Sequence, residues 1–335
     1  MEDYPRNLAE FEQRFSSEQA CREYLFDLRW PEGFRCPRCQ HDAYWPKGKL
    51  FECRPCGHQA SVTAGTLFQD TRKPLRDWFR AIWYVTRQKN GASALGLQRI
   101  LGLGSYLTAW TWLHKLRRAM VRPGRERLRG EVEVDEGYLG GLEEGVHGRE
   151  TFKKALVAVA AEKDGRRIGR FRMQRIPDAS AASLLAFVQA HVTLGSTVHT
   201  DGWDAYRGLE SYTHPVSKLR GQPKLESVLL PRVHRVIALR KQWLLGTHQG
   251  AVSPAHLDYC LDEFTFRFNR RSSRYRGKLF YRLLQQAVVT GLDPSDPYPP
   301  TVRPFGDDAW TLTGEPLDLS RADAPAMVSV GHASV

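Results

Sequence analysis

Two closely spaced cysteine pairs constrain the fold of this chain more than any other feature. Cys36 and Cys39 form the first pair, Cys53 and Cys56 form the second, and thirteen residues separate them. A CxxC pair places two thiolates on one tight turn, and two such turns close a tetrahedron around one Zn²⁺ ion. Because four thiolates leave no open coordination position, the spacing predicts one structural zinc ion in a zinc ribbon over residues 31–70.

The residues between the two pairs are expected to complete this small unit. Tyr44, Trp45 and Phe51 are predicted to form the core of the ribbon, although aromatic side chains here could also touch DNA. The cysteines also bear on the compartment, because four of the six lie in the two pairs. This usage fits a metal site in a reducing compartment better than a disulfide framework.

The charge balance indicates the class of partner. The 335-residue chain has 49 Lys and Arg residues against 37 Asp and Glu residues, a formal net charge of +12. Such an excess favours a polyanionic partner, above all nucleic acid, although some soluble proteins are simply basic. The first residues are acidic and polar, unlike a signal peptide, and no apolar run approaches the roughly 18 residues that cross a bilayer. We therefore expect a cytoplasmic protein without a membrane partner.

Helical periodicity dominates two stretches on either side of the ribbon. Residues 1–30 show it first, and residues 71–122 show it again with apolar side chains at i, i+3, i+4 and i+7. Ser93 and Ser105 are predicted to start two short helices joined by a glycine-containing turn. Such a pair resembles a DNA-binding helix-turn-helix, although this spacing is common by chance. Residues 123–130 follow as a basic linker that is able to track phosphates.

The pattern changes to strand-like alternation at Glu131. In the stretch EVEVDEGYLGG, two valines alternate with Glu131, Glu133 and Asp135, so three acids share one face of the predicted strand. Alternation alone does not decide which carboxylate matters, and a solvated strand edge is the plain alternative. A further acid, Asp201, ends another predicted strand in the sequence VHTDG. A metal site assembled from strand ends would use Asp135 and Asp201.

The order of the predicted elements indicates the fold class. After the first strand, the pattern predicts strands at 154–162 and 168–176, a helix at 180–192, strands at 197–200 and 214–216, and helices at 233–245 and 254–269. This order is that of an RNase H-like fold, in which the first and fourth strands are neighbours. The sequence thus predicts a multidomain α/β protein with an RNase H-like domain over residues 131–290. Residues 291–335 are expected to form a loose tail.

A third metal ligand is expected on the helix after the fourth strand. Residues 233–241 contain no acid but offer His234 and Lys241, which are seven residues apart and therefore lie on one face of a helix. The rival is Glu226, which precedes a Leu-Leu-Pro break, and helix placement favours His234. Asp262 and Glu263, on the next helix, are expected to stabilise the fold rather than bind metal, by pairing with Arg267, Arg270 or Arg271.

Several of these stretches together resemble one family. They are the CPRC and CRPC pairs, SVTAGTLF at 61–68, VEVDEGYLGG at 132–141, TDGW at 200–203, HRVIALRKQWLLGTHQG at 234–250 and HLDYCLDEFTFRFNRR at 256–271. In this order they resemble bacterial insertion-sequence transposases, namely the zinc-ribbon DDE transposases of insertion-sequence family 1595. The resemblance spans about residues 15–290.

The resemblance implies an enzyme that cuts double-stranded DNA at the terminal inverted repeats of a mobile element and joins it to target DNA. It implies that Asp135 and Asp201 bind catalytic Mg²⁺ or Mn²⁺, two ions in all, and that the third ligand is Glu, Asn or His. His234 occupies the third position here, and Lys241 follows as a contact to a DNA phosphate. Because imidazole suits Mn²⁺ better than Mg²⁺, His234 favours manganese. The family also implies at least a dimer on DNA.

Two other functions are compatible with the sequence. The commonest members of the superfamily have Glu at the third position, so His234 leaves room for a catalytically decayed copy or a DNA-binding regulator. An RNase H-like fold would also suit a ribonuclease. The ribbon, the helical region and the basic linker favour duplex DNA over an RNA–DNA hybrid.

Overall fold

The structure is a computed structural model, and it describes residues 2–121, 124–140, 154–216, 230–248, 252 and 256–291. Its helices are α1 (Leu8–Arg14), α2 (Glu18–Arg29), α3 (Leu75–Arg87), α4 (Ala94–Leu101), α5 (Tyr106–Arg118), α6 (Ala181–His191), α7 (Pro231–His248), α8 (Leu257–Asn269) and α9 (Gly277–Ala287). Its strands are β1 (Tyr44–Lys47), β2 (Leu50–Cys53), β3 (Gln59–Ser61), β4 (Glu131–Leu139), β5 (Ala155–Asp164), β6 (Arg167–Ile176) and β7 (Thr197–His199). The predicted α/β class is confirmed, and the predicted tail lies outside the described residues except for residue 291.

The N-terminal helices and the ribbon share one hydrophobic core with the last described helix. Phe15, Phe79 and Phe280 are buried together, and their ring centroids lie between 4.8 and 5.8 Å apart. α9 carries Phe280 and packs against α3. Although α9 lies within the domain predicted over residues 131–290, it therefore packs in the N-terminal core.

The helices of residues 71–122 are capped in two ways, by a neighbouring side chain or by one distant in the sequence. The Ser93 side chain caps α4, as predicted, and Gly102 ends that helix in the left-handed region with a φ of 61°. α4 and α5 are thus two short helices joined by a glycine-containing turn. α3 has no local side-chain cap, and the carboxylate of Glu18 accepts the N–H groups of Leu75 and Arg76 at 3.0 and 3.2 Å instead.

The larger sheet has the strand order β6–β5–β4–β7. β4, β5 and β6 run antiparallel, whereas β7 pairs with β4 in parallel. Two parallel bridges, from Thr197 to Thr213 and from Thr200 to Val216, place the predicted fifth strand beside β7. The first and fourth strands are neighbours, as the RNase H-like order predicts. β4 is therefore a central strand and not a solvated edge.

Both faces of this sheet are covered by helices. α7 and α8 pack on one face, where Val157 and Val233 are buried, and α6 packs on the other, where Val132 and Leu184 are buried. The alternation along β4 thus turns its valines toward α6 and its three acids toward α7. Of the described helices, none has both the length and the apolar character to cross a membrane.

Candidate zinc and active sites

The four predicted zinc ligands come together in the ribbon. Among the described residues, Cys36, Cys39, Cys53 and Cys56 are the one group of three or more metal-ligand side chains whose ligand atoms all lie within 4.8 Å of one another. The Sγ atoms of Cys36 and Cys56 are 3.6 Å apart, and those of Cys39 and Cys53 are 3.5 Å apart. Four sulfurs in a tetrahedron around zinc, each about 2.3 Å from the metal, lie about 3.8 Å from one another. The cluster therefore fits one structural zinc ion.

The two cysteine turns have the same backbone geometry. The residue after the second cysteine of each pair, Gln40 or Gly57, lies in the left-handed region with a φ of 61° or 65°. Its N–H donates to the carbonyl of the first cysteine of the pair, Cys36 or Cys53, at 2.8 or 2.9 Å. Each pair is thus held on a tight turn by its own local hydrogen bonds, which is why the spacing alone predicts the cluster.

The predicted core of the ribbon is only partly right. Tyr44 and Phe51 are half-buried, and Phe51 packs against Phe26 with ring centroids 4.9 Å apart. Trp45 is 56% exposed, so the prediction that it belongs to the core is wrong. The reason is the alternation along β1, which turns Trp45 outward where Tyr44 turns inward. The Arg54 guanidinium covers one face of the exposed indole, with its Cζ 3.9 Å from the ring centroid.

The three acids on one face of β4 have three different environments. Glu131 is exposed and forms a surface ion pair with Lys163. Glu133 is 2% exposed and lies at the start of α7. Asp135 faces an imidazole, because its Oδ2 lies 3.1 Å from Nε2 of His234. Of the three, Asp135 is therefore the one that shares a site with another predicted ligand.

Glu133 holds the start of α7, a role that sequence reasoning missed. Its Oε2 accepts the backbone N–H groups of Arg232 and Val233 at 2.7 and 3.0 Å, and its Oε1 accepts from the Arg232 guanidinium at 2.8 Å. A carboxylate at a helix N-terminus satisfies unpaired N–H groups and interacts favourably with the helix dipole. Because His234 is the next residue along α7, this cap also positions the imidazole.

Asp201 follows β7, the strand that pairs with β4 in parallel. The last pair of this register joins Glu133 to His199, and Asp135 and Asp201 each lie two residues beyond it. Neighbouring strands are about 4.8 Å apart, and residues two apart point to the same face. The Oδ1 atom of Asp201 accepts the N–H of Trp203 at 3.0 Å, and its Oδ2 accepts no hydrogen bond from the described residues.

The buried phenol of Tyr206 interacts electrostatically with both aspartates, Asp135 and Asp201. Tyr206 is fully buried and donates its O–H to Oε2 of Glu136 at 2.8 Å. Burial raises the pKa of Tyr206 well above its usual value, and the carboxylates of Glu136, Asp135 and Asp201 raise it further. The phenol is therefore a neutral donor beside the acids. Neither Tyr206 nor Glu136 was singled out from the sequence, because no local pattern marks their contact.

The predicted catalytic ligands are brought near one another but not closed into one cluster. Among the described residues, the ligand atoms of Asp135, Asp201 and His234 do not all lie within 4.8 Å of one another. Two carboxylates and an imidazole are nevertheless a donor set that binds Mn²⁺ or Mg²⁺. Lys241 lies seven residues after His234 on α7, and its side chain is exposed. Glu226, the rival third ligand, lies outside the described residues.

A buried ion-pair network joins α8 to the N-terminal helices. Glu263 is fully buried and accepts hydrogen bonds from Nε of Arg117 on α5 at 2.7 Å and from Nε of Arg267 at 2.8 Å. Arg267 also donates to the carbonyls of Val85 and Gln88, both at 2.8 Å. The predicted pairing of Glu263 with a nearby arginine is confirmed, whereas the pairing with Arg117, 146 residues away, was not predicted.

The fold and the cysteine cluster define a zinc-ribbon protein with a mixed α/β domain. Residues 16–59 match the family described as transposase zinc-ribbon domain, and residues 127–269 match the ISXO2-like transposase domain. The chain is 27% identical over 214 residues to an uncharacterized protein in transposable element ISH50 of Halobacterium salinarum, and this alignment covers 58% of the chain and 71% of that protein. No solved structure matches the chain.

Both domains occur in one chain, with the ribbon first. The chain therefore belongs to the insertion-sequence transposases that combine a zinc ribbon with an ISXO2-like domain. The ribbon match and the four-cysteine cluster support one structural zinc ion. The transposase domains imply that the protein binds DNA. The second match ends at Asn269, the last residue of α8, which agrees with the return of α9 to the N-terminal core.

Proposed function

We propose that the protein cleaves DNA at the ends of its insertion sequence and joins those ends to target DNA. The observation that supports this best is the contact of Asp135 with His234, inside the domain that matches a transposase. Asp201 follows two residues after the end of β7, the strand that pairs with β4 in parallel. In cleavage, water attacks a phosphodiester and a 3′-hydroxyl leaves. In joining, that hydroxyl attacks a phosphodiester of the target, and a target hydroxyl leaves.

Asp135, Asp201 and His234 would hold the catalytic ions. When bound, Mg²⁺ or Mn²⁺ ions would activate the attacking oxygen and stabilise the leaving oxygen. The two carboxylates supply negative charge, and the neutral imidazole adds a donor without charge. Because imidazole suits Mn²⁺ better than Mg²⁺, we expect faster reaction in Mn²⁺. Equal rates in the two metals would argue against His234 as a direct ligand.

The ribbon, helices α4 and α5 and the basic residues 124–130 would hold the ends of the element. The net charge of +12 supports a phosphate-rich partner of this kind. Lys241 is exposed two turns along α7 from His234, about 10 Å in helix rise, where it would contact a phosphate near the reacting one. Because an element has two ends, we propose at least a dimer on DNA, acting in the cytoplasm.

The test is cleavage and strand transfer on a duplex that carries the terminal repeat of the element. Wild-type protein is compared with Asp201→Asn and His234→Ala, each in Mg²⁺ and in Mn²⁺. Asp204→Asn is the matched control, because Asp204 is an exposed acid three residues away whose partner is Arg207 at the surface. We expect joined products from wild type and from the control, and none from the other two variants.

The other outcomes lead to different functions. Products that survive in His234→Ala would move the third ligand elsewhere, with Glu226 the next residue to change. Wild-type protein that binds the repeat without forming any product would favour the second candidate, a DNA-binding regulator or a decayed copy, which the histidine at the third position motivates. Cleavage of an RNA–DNA hybrid in preference to duplex DNA would favour a ribonuclease.

A further inference from the structure

A cavity of about 640 Å³ lies where the N-terminal helices meet the α/β domain. Residues of β6 and α8 form one side, and residues of α2, α9 and the segment after α5 form the other. This volume is typical of cavities that bind a small ligand or one group of a larger ligand. Five arginines and one glutamate line it, namely Arg125, Arg170, Arg172, Arg270, Arg282 and Glu126.

Acids do not neutralise all of these arginines. Arg170 forms ion pairs with Glu126 and Glu162. Arg172 is 5% exposed, and among the described residues it donates only to backbone carbonyls and its buried Nε has no partner. Within the described part of the chain, Arg125 makes neither a hydrogen bond nor an ion pair. Two guanidinium groups with unused donors therefore line the cavity.

Like charges face one another in this cavity. Burial, together with the nearby guanidinia of Arg125, Arg170 and Arg270, lowers the pKa of Arg172 to about 10. Burial also lowers the pKa of Arg125, and the nearby Asp262 carboxylate raises it by less. Carboxylates lie near both groups, Asp262 near Arg125 and Glu162 near Arg172, but neither arginine forms an ion pair within the described residues. An anion that entered the cavity would offset both the desolvation and the repulsion. The planar fork of guanidinium donors matches the oxygens of a phosphate group.

We propose that this cavity binds a phosphate group through Arg125 and Arg172. The cavity is separate from the proposed metal centre, because β6 is the edge strand farthest from β7 in the order of the sheet. A phosphate there would bridge the N-terminal helices and the α/β domain, since residues of both line the cavity. The phosphate comes either from the DNA backbone, which rests on the proposed function, or from a free phosphate compound, which does not.

The test measures binding rather than catalysis, so that it is independent of the metal site. Pyrophosphate and a duplex oligonucleotide are titrated, without added divalent cations, into the full chain and its variants. Arg125→Gln removes a guanidinium that makes no hydrogen bond to the described residues and whose electrostatic partner is Asp262. Circular dichroism checks that the variant folds. Arg172→Lys keeps the positive charge but loses the planar fork of guanidinium donors. Arg175→Gln is the matched control, because Arg175 lies on β6 outside the cavity.

We expect the affinity for pyrophosphate to fall about tenfold in Arg125→Gln, to fall in Arg172→Lys as well, and to change less than about twofold in Arg175→Gln. If the phosphate comes from DNA, Arg125→Gln also weakens duplex binding and lowers the slope of log K against log salt by about one. Unchanged duplex binding together with weaker pyrophosphate binding would assign the site to a free phosphate compound.

Two results would overturn the proposal. One is equal pyrophosphate affinity in the wild type and in Arg125→Gln. The other is a loss of pyrophosphate affinity that is equally large in Arg125→Gln and in the control Arg175→Gln. Failure of the proposed function gives a different result, because a protein that binds pyrophosphate through Arg125 but never cleaves DNA would retain this site. Conversely, an active transposase that is insensitive to Arg125→Gln in both titrations would retain only the catalytic assignment.

Discussion

The buried carboxylate of Glu263 gives a sharp prediction about stability, because two buried arginines share it. Glu263→Gln keeps the shape of the side chain but removes the negative charge between Arg117 and Arg267. Both guanidinia would then remain buried beside a neutral amide, which compensates them less well. We therefore expect the free energy of unfolding to fall at neutral pH.

The magnitude follows from the pKa of Glu263. Burial raises this pKa, but the guanidinia of Arg267 and Arg117 lower it more, to about 2 against an ordinary value of 4.5. This pKa difference means that the ionised form of Glu263 contributes about 3 kcal/mol to the free energy of unfolding at neutral pH. Removing one partner of a buried ion pair costs about 3–5 kcal/mol in other proteins, so the two magnitudes agree.

The same pKa sets a pH dependence. Because the pKa of Glu263 is lower in the folded than in the unfolded protein, its contribution is complete above about pH 4.5 and is lost as the pH falls toward 2. Wild-type protein should therefore lose stability as the pH falls from about 5 toward 2. Glu263→Gln, which lacks the titrating group, should lose less over the same range.

Urea unfolding followed by tryptophan fluorescence at neutral and acidic pH measures both effects. Asp258→Asn is the matched control, because Asp258 lies on the same helix and forms an exposed ion pair with Arg175. We expect the free energy of unfolding at pH 7 to fall by about 3 kcal/mol in Glu263→Gln and by less than about 1 kcal/mol in the control. A Glu263→Gln protein as stable as the wild type, with the same acid sensitivity, would refute the reasoning.

Three further predictions concern the ribbon and the start of α7. Cys39→Ser should lose stoichiometric zinc, as measured by metal analysis of the purified protein, because one of four thiolates is removed; full zinc content would contradict the assigned site. Trp45→Ala should lower the free energy of unfolding by less than about 1 kcal/mol, and the half-buried Phe51→Ala by more, since the Trp45 indole is 56% exposed. Glu133→Gln should weaken the start of α7 by about 1–3 kcal/mol and slow strand transfer; an unchanged rate would show that His234 does not depend on this cap.

The sequence by itself determined the features that neighbouring residues control. Each cysteine turn is closed by hydrogen bonds within a few residues, so the spacing of the pairs was enough to predict the cluster. The turn between β5 and β6 is also local, because Asp164-Gly165 is a typical hairpin dipeptide and Gly165 has a φ of 55°. The alternation and order of the strands likewise predicted the sheet, because register and neighbours in this fold follow from which residues need burial.

Only the tertiary structure decided how residues distant in the sequence meet. The three acids of β4 have the same local pattern, and α7 distinguishes them by placing its start on Glu133 and His234 against Asp135. Pro74 and Leu230 directly precede α3 and α7, and neither side chain is able to cap a helix. Carboxylates of other elements, Glu18 and Glu133, therefore accept the first N–H groups of these helices. Such contacts depend on how one element packs on another, and the spacing of residues along the chain does not determine that packing.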